Sequence, residues 1–222
     1  MSYVLVSLVG QGDEATQASD AFARWYAEQH PPAERFHGDS PEHAAVAAAL
    51  VALEAQRGFV LGHGGPTLRA LPGPGPLDFF QHVAVWADPA QFAAMFKGAR
   101  VYVYACSTLA AGEAESFGRV AVDLGIVAYA GHFQPVHAPD VGDIGLHDVR
   151  LRRAIARVVK LFLEGCDDVE RLLVEARSAI SRGARVRLRR SATSFNDPDL
   201  PLDWSLDWQR ILGSLKVELP RP

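Results

Sequence analysis

A short apolar segment, RVYVYACST at residues 100–108, constrains the fold of this chain more than any other. Its β-branched and aromatic residues predict a buried strand that runs into Ala105 and Cys106 at its carboxyl end. An earlier predicted strand, GFVLG at residues 58–62, runs into His63. Parallel neighbours lie about 4.8 Å apart, and open α/β sheets bind ligands beyond the carboxyl ends of their strands. We therefore predict that His63 and Cys106 face each other across that crevice.

The side chains at these two strand ends have the chemistry of a nucleophile and its base. An ordinary thiol has a pKa of about 8.5, and an adjacent imidazole either removes its proton or, once protonated, stabilises the thiolate. Gly64 and Gly65 follow His63 directly. Because they have no Cβ atoms, these glycines let backbone N–H groups approach a substrate carbonyl. The predicted oxyanion donors are the N–H groups of Gly64 and Cys106.

The two strand ends resemble those of the caspase-fold (clan CD) cysteine peptidases, and most closely their prokaryotic CHAT branch. In that family a strand ending in His-Gly, here His63-Gly64, precedes a strand ending in Ala-Cys, here Ala105-Cys106. Three later segments are also similar to the family: a strand at residues 126–131, Phe133-Gln134-Pro135-Val136 in the place of a recurring Trp-Pro-Val, and a closing segment with Trp204 or Trp208. The resemblance thus covers most of the chain.

The resemblance implies a single caspase-like domain over residues 1–222, with an open, mainly parallel α/β sheet and helices on both faces. It implies a cysteine endopeptidase in which Cys106 attacks a protein substrate and His63 transfers protons, with no metal or organic cofactor. It also implies a bacterial effector protease that a regulatory protein partner activates.

Three further residues are predicted to bind substrate. In the caspase fold the loop after the first strand and the segment around the Cys help to form the primary pocket, which here implies Asp13, Glu14 and Tyr104. Two carboxylates would favour a basic P1 side chain, since Arg forms a bidentate pair with a carboxylate. Alternatively, Asp13 and Glu14 only begin the first helix, where acidic residues complement the helix dipole. The chain departs from caspases in having Ser107, not glycine, after the Cys.

Two other functions remain open from the sequence. A catalytically degenerate caspase-like domain would bind partners without cleaving them, because a cysteine by itself is more often a buried, inert residue. An α/β-hydrolase is the second alternative, since His63-Gly64-Gly65 is similar to the oxyanion loop of esterases. Residues 104–108, however, lack the flanking glycines of a nucleophile elbow.

Composition and charge are those of one globular domain. The 222 residues are 49% apolar and 22% charged, and the net charge of −4 gives no reason to expect nucleic acid as a partner. No run approaches the roughly 20 apolar residues of a membrane span, and residues 1–10 lack a signal-peptide pattern, so we expect a cytoplasmic protein without membrane contact. Cys106 and Cys166 have neither a disulfide framework nor metal-ligand spacing.

The rest of the chain alternates between predicted strands and helices, as in a doubly wound sheet. The further predicted strands are residues 3–8, 35–37, 82–86 and 126–130, and the predicted helices are one that ends before Pro31 and those at residues 41–57, 89–97, 113–124, 149–164 and 167–182. Ser40 and Asp167 are predicted to cap two of these helices.

Three connecting segments allow both a structural and a functional interpretation. The loop at residues 64–76, rich in Gly and Pro, either walls the substrate groove or is a passive connection. Residues 131–146 line the cleft or, alternatively, hold a metal through His132, His137 and nearby carboxylates. The arginine-rich residues 182–190 form a charged edge strand or, alternatively, a docking patch for an acidic partner.

Overall fold

The computed structural model of the chain describes residues 1–9, 14–63, 71–72, 85–106, 108–110, 115–133, 146–188 and 214–221. The strands in this part are β1 (Val4–Leu8), β2 (Glu34–Gly38), β3 (Arg57–Leu61), β4 (Leu71–Pro72), β5 (Val85–Ala87), β6 (Arg100–Tyr104), β7 (Ala128–His132) and β8 (Leu215–Glu218). The helices are α1 (Glu14–Gln29), α2 (His43–Val51), α3 (Pro89–Met95), α4 (Phe117–Asp123), α5 (Leu146–Leu163) and α6 (Val169–Leu188).

A six-stranded sheet in the order β2-β1-β3-β6-β7-β8 forms the centre of the fold. Neighbouring strands are parallel except β7 and β8, which are antiparallel. Helices connect successive parallel strands, as such crossovers require. The predicted fold class, an α/β fold with a mainly parallel sheet, is therefore confirmed.

Helices cover both faces of the sheet. Alternate strand residues point to opposite sides, so each face has its own apolar side chains to bury against helices. One face, which we call the aromatic face, carries Phe59, Tyr102 and Tyr104 and packs on α1, α5 and α6. The opposite face is mainly aliphatic, includes Val60 and Val103, and packs on α2, α3 and α4. The rings of Phe59 and Tyr102 meet edge-on, with centroids 5.9 Å apart, a favourable arrangement of two aromatic side chains. Both strands that carry the predicted dyad are thus fixed from two sides.

A separate antiparallel pair, β4 and β5, lies between β3 and α3 in the chain. The strand predicted at residues 82–86 overlaps β5 at residues 85 and 86, and residues 82–84 lie outside the described part of the chain. Trp86 anchors β5 to the start of α2: its indole nitrogen donates a hydrogen bond to the carbonyl of Pro41 at 2.9 Å. The carbonyl oxygen of Trp86 lies 2.7 Å from Nε2 of His43.

The predicted limits of α2 are wrong at both ends. The residue before the helix is Glu42, which is extended and makes no side-chain cap, so Ser40 is not the N-cap. At its other end the helix stops at Val51 instead of continuing to residue 57. Arg57 belongs to β3 because it pairs with Arg100 of β6. Sheet pairing therefore outweighs the helix propensity of this Ala-rich segment.

The limits predicted around β7 are also displaced. Ser116 caps α4 by accepting a hydrogen bond from the Arg119 N–H at 3.2 Å, so the helix begins well after residue 113. The strand then begins at Ala128 and not at Ile126, because the Ile126 N–H is still bonded to the Ala121 carbonyl of that helix. The strand ends at His132, two residues later than predicted.

The charged edge strand predicted at residues 182–190 is wrong, since α6 continues to Leu188. Arg and Leu are good helix formers, and extending an established helix costs far less than starting one. The N-cap of α6 is Asp168, whose carboxylate accepts from the N–H groups of Glu170 and Arg171, and not Asp167. The edge strand β8 is not among the predicted strands. No helix in the described part of the chain is long and apolar enough to cross a membrane.

Candidate active site

His63 and Cys106 lie at the same edge of the sheet, beyond the paired ends of β3 and β6. These strands are parallel neighbours, and their last paired residues are Leu61 and Tyr104. A further hydrogen bond from the Gly62 N–H to the Tyr104 carbonyl, 3.3 Å long, continues the ladder by one step. His63 lies two residues after Leu61, and Cys106 lies two residues after Tyr104. The two segments therefore reach the edge of the sheet in register.

Both predicted dyad residues are half-buried, which leaves part of each accessible to solvent. The side chain of Cys106 packs against the apolar cluster of the aromatic face. Neither Cys106 nor Cys166 forms a disulfide. Partial exposure of a thiol beside a buried apolar layer is compatible with a reactive cysteine, whereas a fully enclosed thiol would be inert.

Tyr104 lies below Cys106 in the core of the aromatic face. Only 1% of its surface is exposed, and its ring contacts those of Phe22 and His132, with centroids 5.9 and 5.4 Å away. Burial raises the pKa of Tyr104 well above its usual value, and the neighbouring Tyr102 and Cys106 raise it further. The phenol therefore stays neutral.

The turn at the end of β6, formed by Ala105, Cys106 and the described residues 108 and 109, is the Cys106 turn. It is held from two directions after the nucleophile. The Leu109 N–H donates to the carbonyl of His132 at 3.0 Å, and the Thr108 carbonyl accepts from the Gly118 N–H at 3.1 Å. The Cys106 turn is thus bonded to both β7 and the first turn of α4.

Two glycines make room for this turn. A Cβ atom at Gly131 would come within 2.8 Å of Thr108 Oγ1, and one at Gly118 would clash with Leu109 and lie 2.6 Å from the Tyr129 ring. Real Cβ atoms do not approach other atoms so closely, so any side chain at these positions would displace the turn. The close approach that places the nucleophile therefore requires glycine on both neighbouring elements.

His132 is a buried polar residue of the site, whereas the sequence analysis placed it in a loop that lines the cleft or holds a metal. It is 1% exposed, and both of its ring nitrogens have hydroxyl partners. Nε2 is 3.1 Å from the hydroxyl of Tyr102, and Nδ1 is 2.9 Å from Oγ of Ser214, which directly precedes β8. The strand predicted at residues 126–130 left His132 in a loop. A strand two residues longer would have put it on the same face as residues 128 and 130.

The other predicted site residues lie at or beyond the limits of the description. Gly64 and Asp13 are outside the described residues. Glu14 is the first residue of α1, in agreement with the alternative that it begins the helix, but its side chain is outside the described part. Their predicted roles, as oxyanion donor and substrate contacts, stay predictions.

The metal-binding alternative for residues 131–146 falls mostly on positions that the structure does not describe, His137 among them. His132 itself is bonded to two hydroxyl groups. In the part of the chain that is described, no group of three or more His, Cys, Asp and Glu residues could hold a metal ion.

The chain matches no protein-family model and no curated protein sequence.

Proposed function

We propose that this chain is a cysteine endopeptidase that uses His63 and Cys106 as a catalytic dyad on a protein substrate. The observation that carries the proposal is the register of β3 and β6, which brings both chains to one edge immediately before these two residues. Ligands of open α/β folds bind at this edge, beyond the carboxyl ends of the strands.

The chemistry requires only the chain's own groups. His63 takes the proton of the Cys106 thiol, and the thiolate attacks the scissile carbonyl to form a tetrahedral oxyanion, which the N–H groups of Gly64 and Cys106 stabilise. His63 then protonates the leaving amine, and a thioester with Cys106 remains. Water, deprotonated by His63, hydrolyses the thioester and restores the thiol.

The caspase-like family and its CHAT branch remain the resemblance on which the finer proposal depends. A His-Gly strand end beside an Ala-Cys strand end, in a mainly parallel sheet, supports it. On this basis we propose a cytoplasmic bacterial effector protease that a regulatory protein activates, with Asp13 and Glu14 in or near its substrate pocket. Tyr104, predicted as a third substrate contact, is 1% exposed and has no surface to offer a substrate. No metal or organic cofactor takes part in the proposed reaction.

One observation weighs against the α/β-hydrolase alternative. A nucleophile elbow is a sharp turn that leads from a strand directly into a helix. Here the described residues 108 and 109 continue as a turn, and α4 begins only at Phe117. The turn is bonded sideways to β7 and α4, which is a different way of presenting a nucleophile.

Labelling with iodoacetamide, followed by assays on a peptide library, tests the proposal. We expect Cys106→Ala to abolish both modification at that position and cleavage, and His63→Ala to abolish cleavage and slow the labelling of Cys106. The matched controls are Cys166→Ala, which removes the other half-buried thiol, and His37→Ala, which removes a half-exposed imidazole from the edge strand β2.

The outcomes separate the three candidate functions. Cleavage that survives in Cys106→Ala would move catalysis elsewhere. A Cys106 thiol whose labelling does not depend on His63, in a protein that cleaves no peptide, would favour the binding module. Hydrolysis of simple esters without any cleavage of peptides would favour an esterase.

A further inference from the structure

Strand pairing between β6 and β7 does not continue as far as the nucleophile, and the contacts beyond it are side-chain contacts and one main-chain hydrogen bond. Main-chain pairing of β6 with β7 ends at Tyr102 and Ala130, below the level of Tyr104. Beyond that point, the His132 ring contacts both Tyr102 and Tyr104 of β6. It lies edge-on to the rings of Tyr102 and Tyr104, at interplanar angles of 76° and 82°.

His132 holds the chain on both sides of Cys106. Before the nucleophile, its Nε2 is hydrogen-bonded to the Tyr102 hydroxyl and its ring packs on Tyr104. After the nucleophile, its carbonyl accepts the Leu109 N–H. A residue that fixes both ends of so short a segment restricts the positions that the thiol can take.

The same imidazole is bonded to the edge strand of the sheet. Its Nδ1 is 2.9 Å from Oγ of Ser214, a residue with no exposed surface, and the Ser214 carbonyl accepts the Phe133 N–H at 3.0 Å. The next residue, Leu215, begins β8 and pairs with His132. A continuous set of contacts therefore runs from β8 through His132 to the strand and turn that carry Cys106.

We propose that His132 is a positioning residue that holds the Cys106 turn in its reactive geometry and makes that geometry depend on the docking of β8. If β8 leaves β7, Ser214 leaves with it, and one nitrogen of a buried imidazole loses its partner. An unsatisfied buried polar group is costly, so the ring is expected to turn or to admit water. Either change would release Tyr102 and Tyr104 and, with them, the nucleophile.

This inference rests on the proposed role of Cys106, and it is tested on the thiol alone, without a peptide substrate. In the full-length chain carrying Cys166→Ala, the rate of carboxamidomethylation of Cys106 by iodoacetamide is measured from pH 5 to pH 10. Ser214→Ala and Tyr102→Phe each remove one hydroxyl partner of His132. The control, Tyr26→Phe, removes a fully buried hydroxyl that has no hydrogen-bond partner among the described residues and lies on α1.

We expect Ser214→Ala and Tyr102→Phe to lower the labelling rate about fivefold on the acidic limb of the profile, where the thiolate depends on His63; this factor corresponds to one hydrogen bond of about 1 kcal/mol. Tyr26→Phe should leave the plateau and the midpoint of the pH profile unchanged. His132→Phe, which keeps an aromatic ring and removes both side-chain hydrogen bonds, should lower the rate on the acidic limb further. Urea unfolding of each variant measures stability separately.

The proposal is overturned if Ser214→Ala and Tyr102→Phe lose stability but keep the parent's pH profile, since His132 would then have only a structural role. It is also overturned if Tyr26→Phe slows the reaction equally. Failure of the dyad itself has a different signature. If the pH profile of Cys106 labelling is unchanged in His63→Ala, the proposed dyad is wrong, whatever the result for Ser214→Ala.

Discussion

Arg100 and Asp167 form a paired contact between the first residue of β6 and the turn that joins α5 to α6. The guanidinium donates two hydrogen bonds to the two carboxylate oxygens, the longer of them 3.1 Å, and lies 4.9 Å from the centre of the Phe162 ring. Both side chains are partly buried. The strand that carries the nucleophile is thus tied at its amino end to the helical layer on the aromatic face.

Breaking this pair should destabilise the fold without changing the chemistry at the opposite end of β6. For Asp167→Ala we expect a loss of about 2 kcal/mol in the free energy of unfolding, typical of hydrogen bonds to charged groups. The control is Glu164→Ala, which removes an exposed partner 4.0 Å from Lys160 and should cost about 0.3–0.5 kcal/mol. Urea denaturation compares the two. Equal losses in the two variants would mean that the Arg100–Asp167 pair stabilises the fold no more than an exposed ion pair does.

The sheet could be predicted from the sequence because its central strands are short apolar runs that end in recognisable turns. The limits of β1, β3 and β6 lie within one residue of those predicted from the runs of apolar residues. The predicted neighbours, β3 and β6, are adjacent and parallel, as a crossover between them requires. The edge of the sheet at which His63 and Cys106 lie follows from the same local signals.

The remaining parts depend on long-range contacts that no local pattern contains. β8 is a strand because it pairs with β7, and a four-residue segment with two charged residues does not indicate this by itself. His132 belongs to the site through its contacts with Tyr102 and Tyr104, about 30 residues earlier, and it is bonded to Ser214, 82 residues later. The arginine-rich end of α6 has a two-residue alternation, yet it continues a helix that was already formed.

Enlarging Gly118 should disturb the nucleophile through its neighbour. In Gly118→Ala the new Cβ would clash with Leu109, so we expect a loss of about 1–3 kcal/mol in unfolding free energy despite the better helix propensity of Ala. The displaced Leu109 should also slow the labelling of Cys106. Adding Leu109→Ala relieves the clash with Leu109 but not the one with the Tyr129 ring, so the double variant should be more stable than the sum of the two single changes predicts, yet less stable than Leu109→Ala alone. Strict additivity, measured by urea unfolding, would contradict this explanation.

The tyrosines predict a sharp alkaline transition. All five, Tyr3, Tyr26, Tyr102, Tyr104 and Tyr129, are buried, and burial raises the pKa of each above its usual value. In the unfolded chain they titrate at about pH 10. The buried, neutral tyrosines therefore contribute fully to the free energy of unfolding below about pH 10. Above that pH the free energy of unfolding falls by up to about 1.4 kcal/mol per pH unit for each tyrosine.

The consequence is that tyrosinate should form only when the chain unfolds. Absorbance at 295 nm and far-ultraviolet circular dichroism, followed together from pH 8 to pH 13, should change in one cooperative step. The matched variant Tyr26→Phe should make that step less steep, because one fewer proton is released. A gradual rise in absorbance centred at about pH 10, with the circular dichroism still native, would show that the phenols are accessible in the folded state.

Arg119 should control how firmly β8 is held at the edge of the sheet. Its guanidinium donates to Glu218 at 3.1 Å and to the Leu219 carbonyl at 2.8 Å, and Arg119 and Glu218 are both largely buried. Arg119→Ala should lower the unfolding free energy by about 2 kcal/mol and speed hydrogen exchange of the β8 amides that pair with β7. Arg221→Ala is the control, since its pair with Glu115 is exposed and should contribute at most about 0.5 kcal/mol. If β8 exchanges at the parental rate in Arg119→Ala, the contacts of Arg119 with Glu218 and Leu219 do not hold β8 on β7.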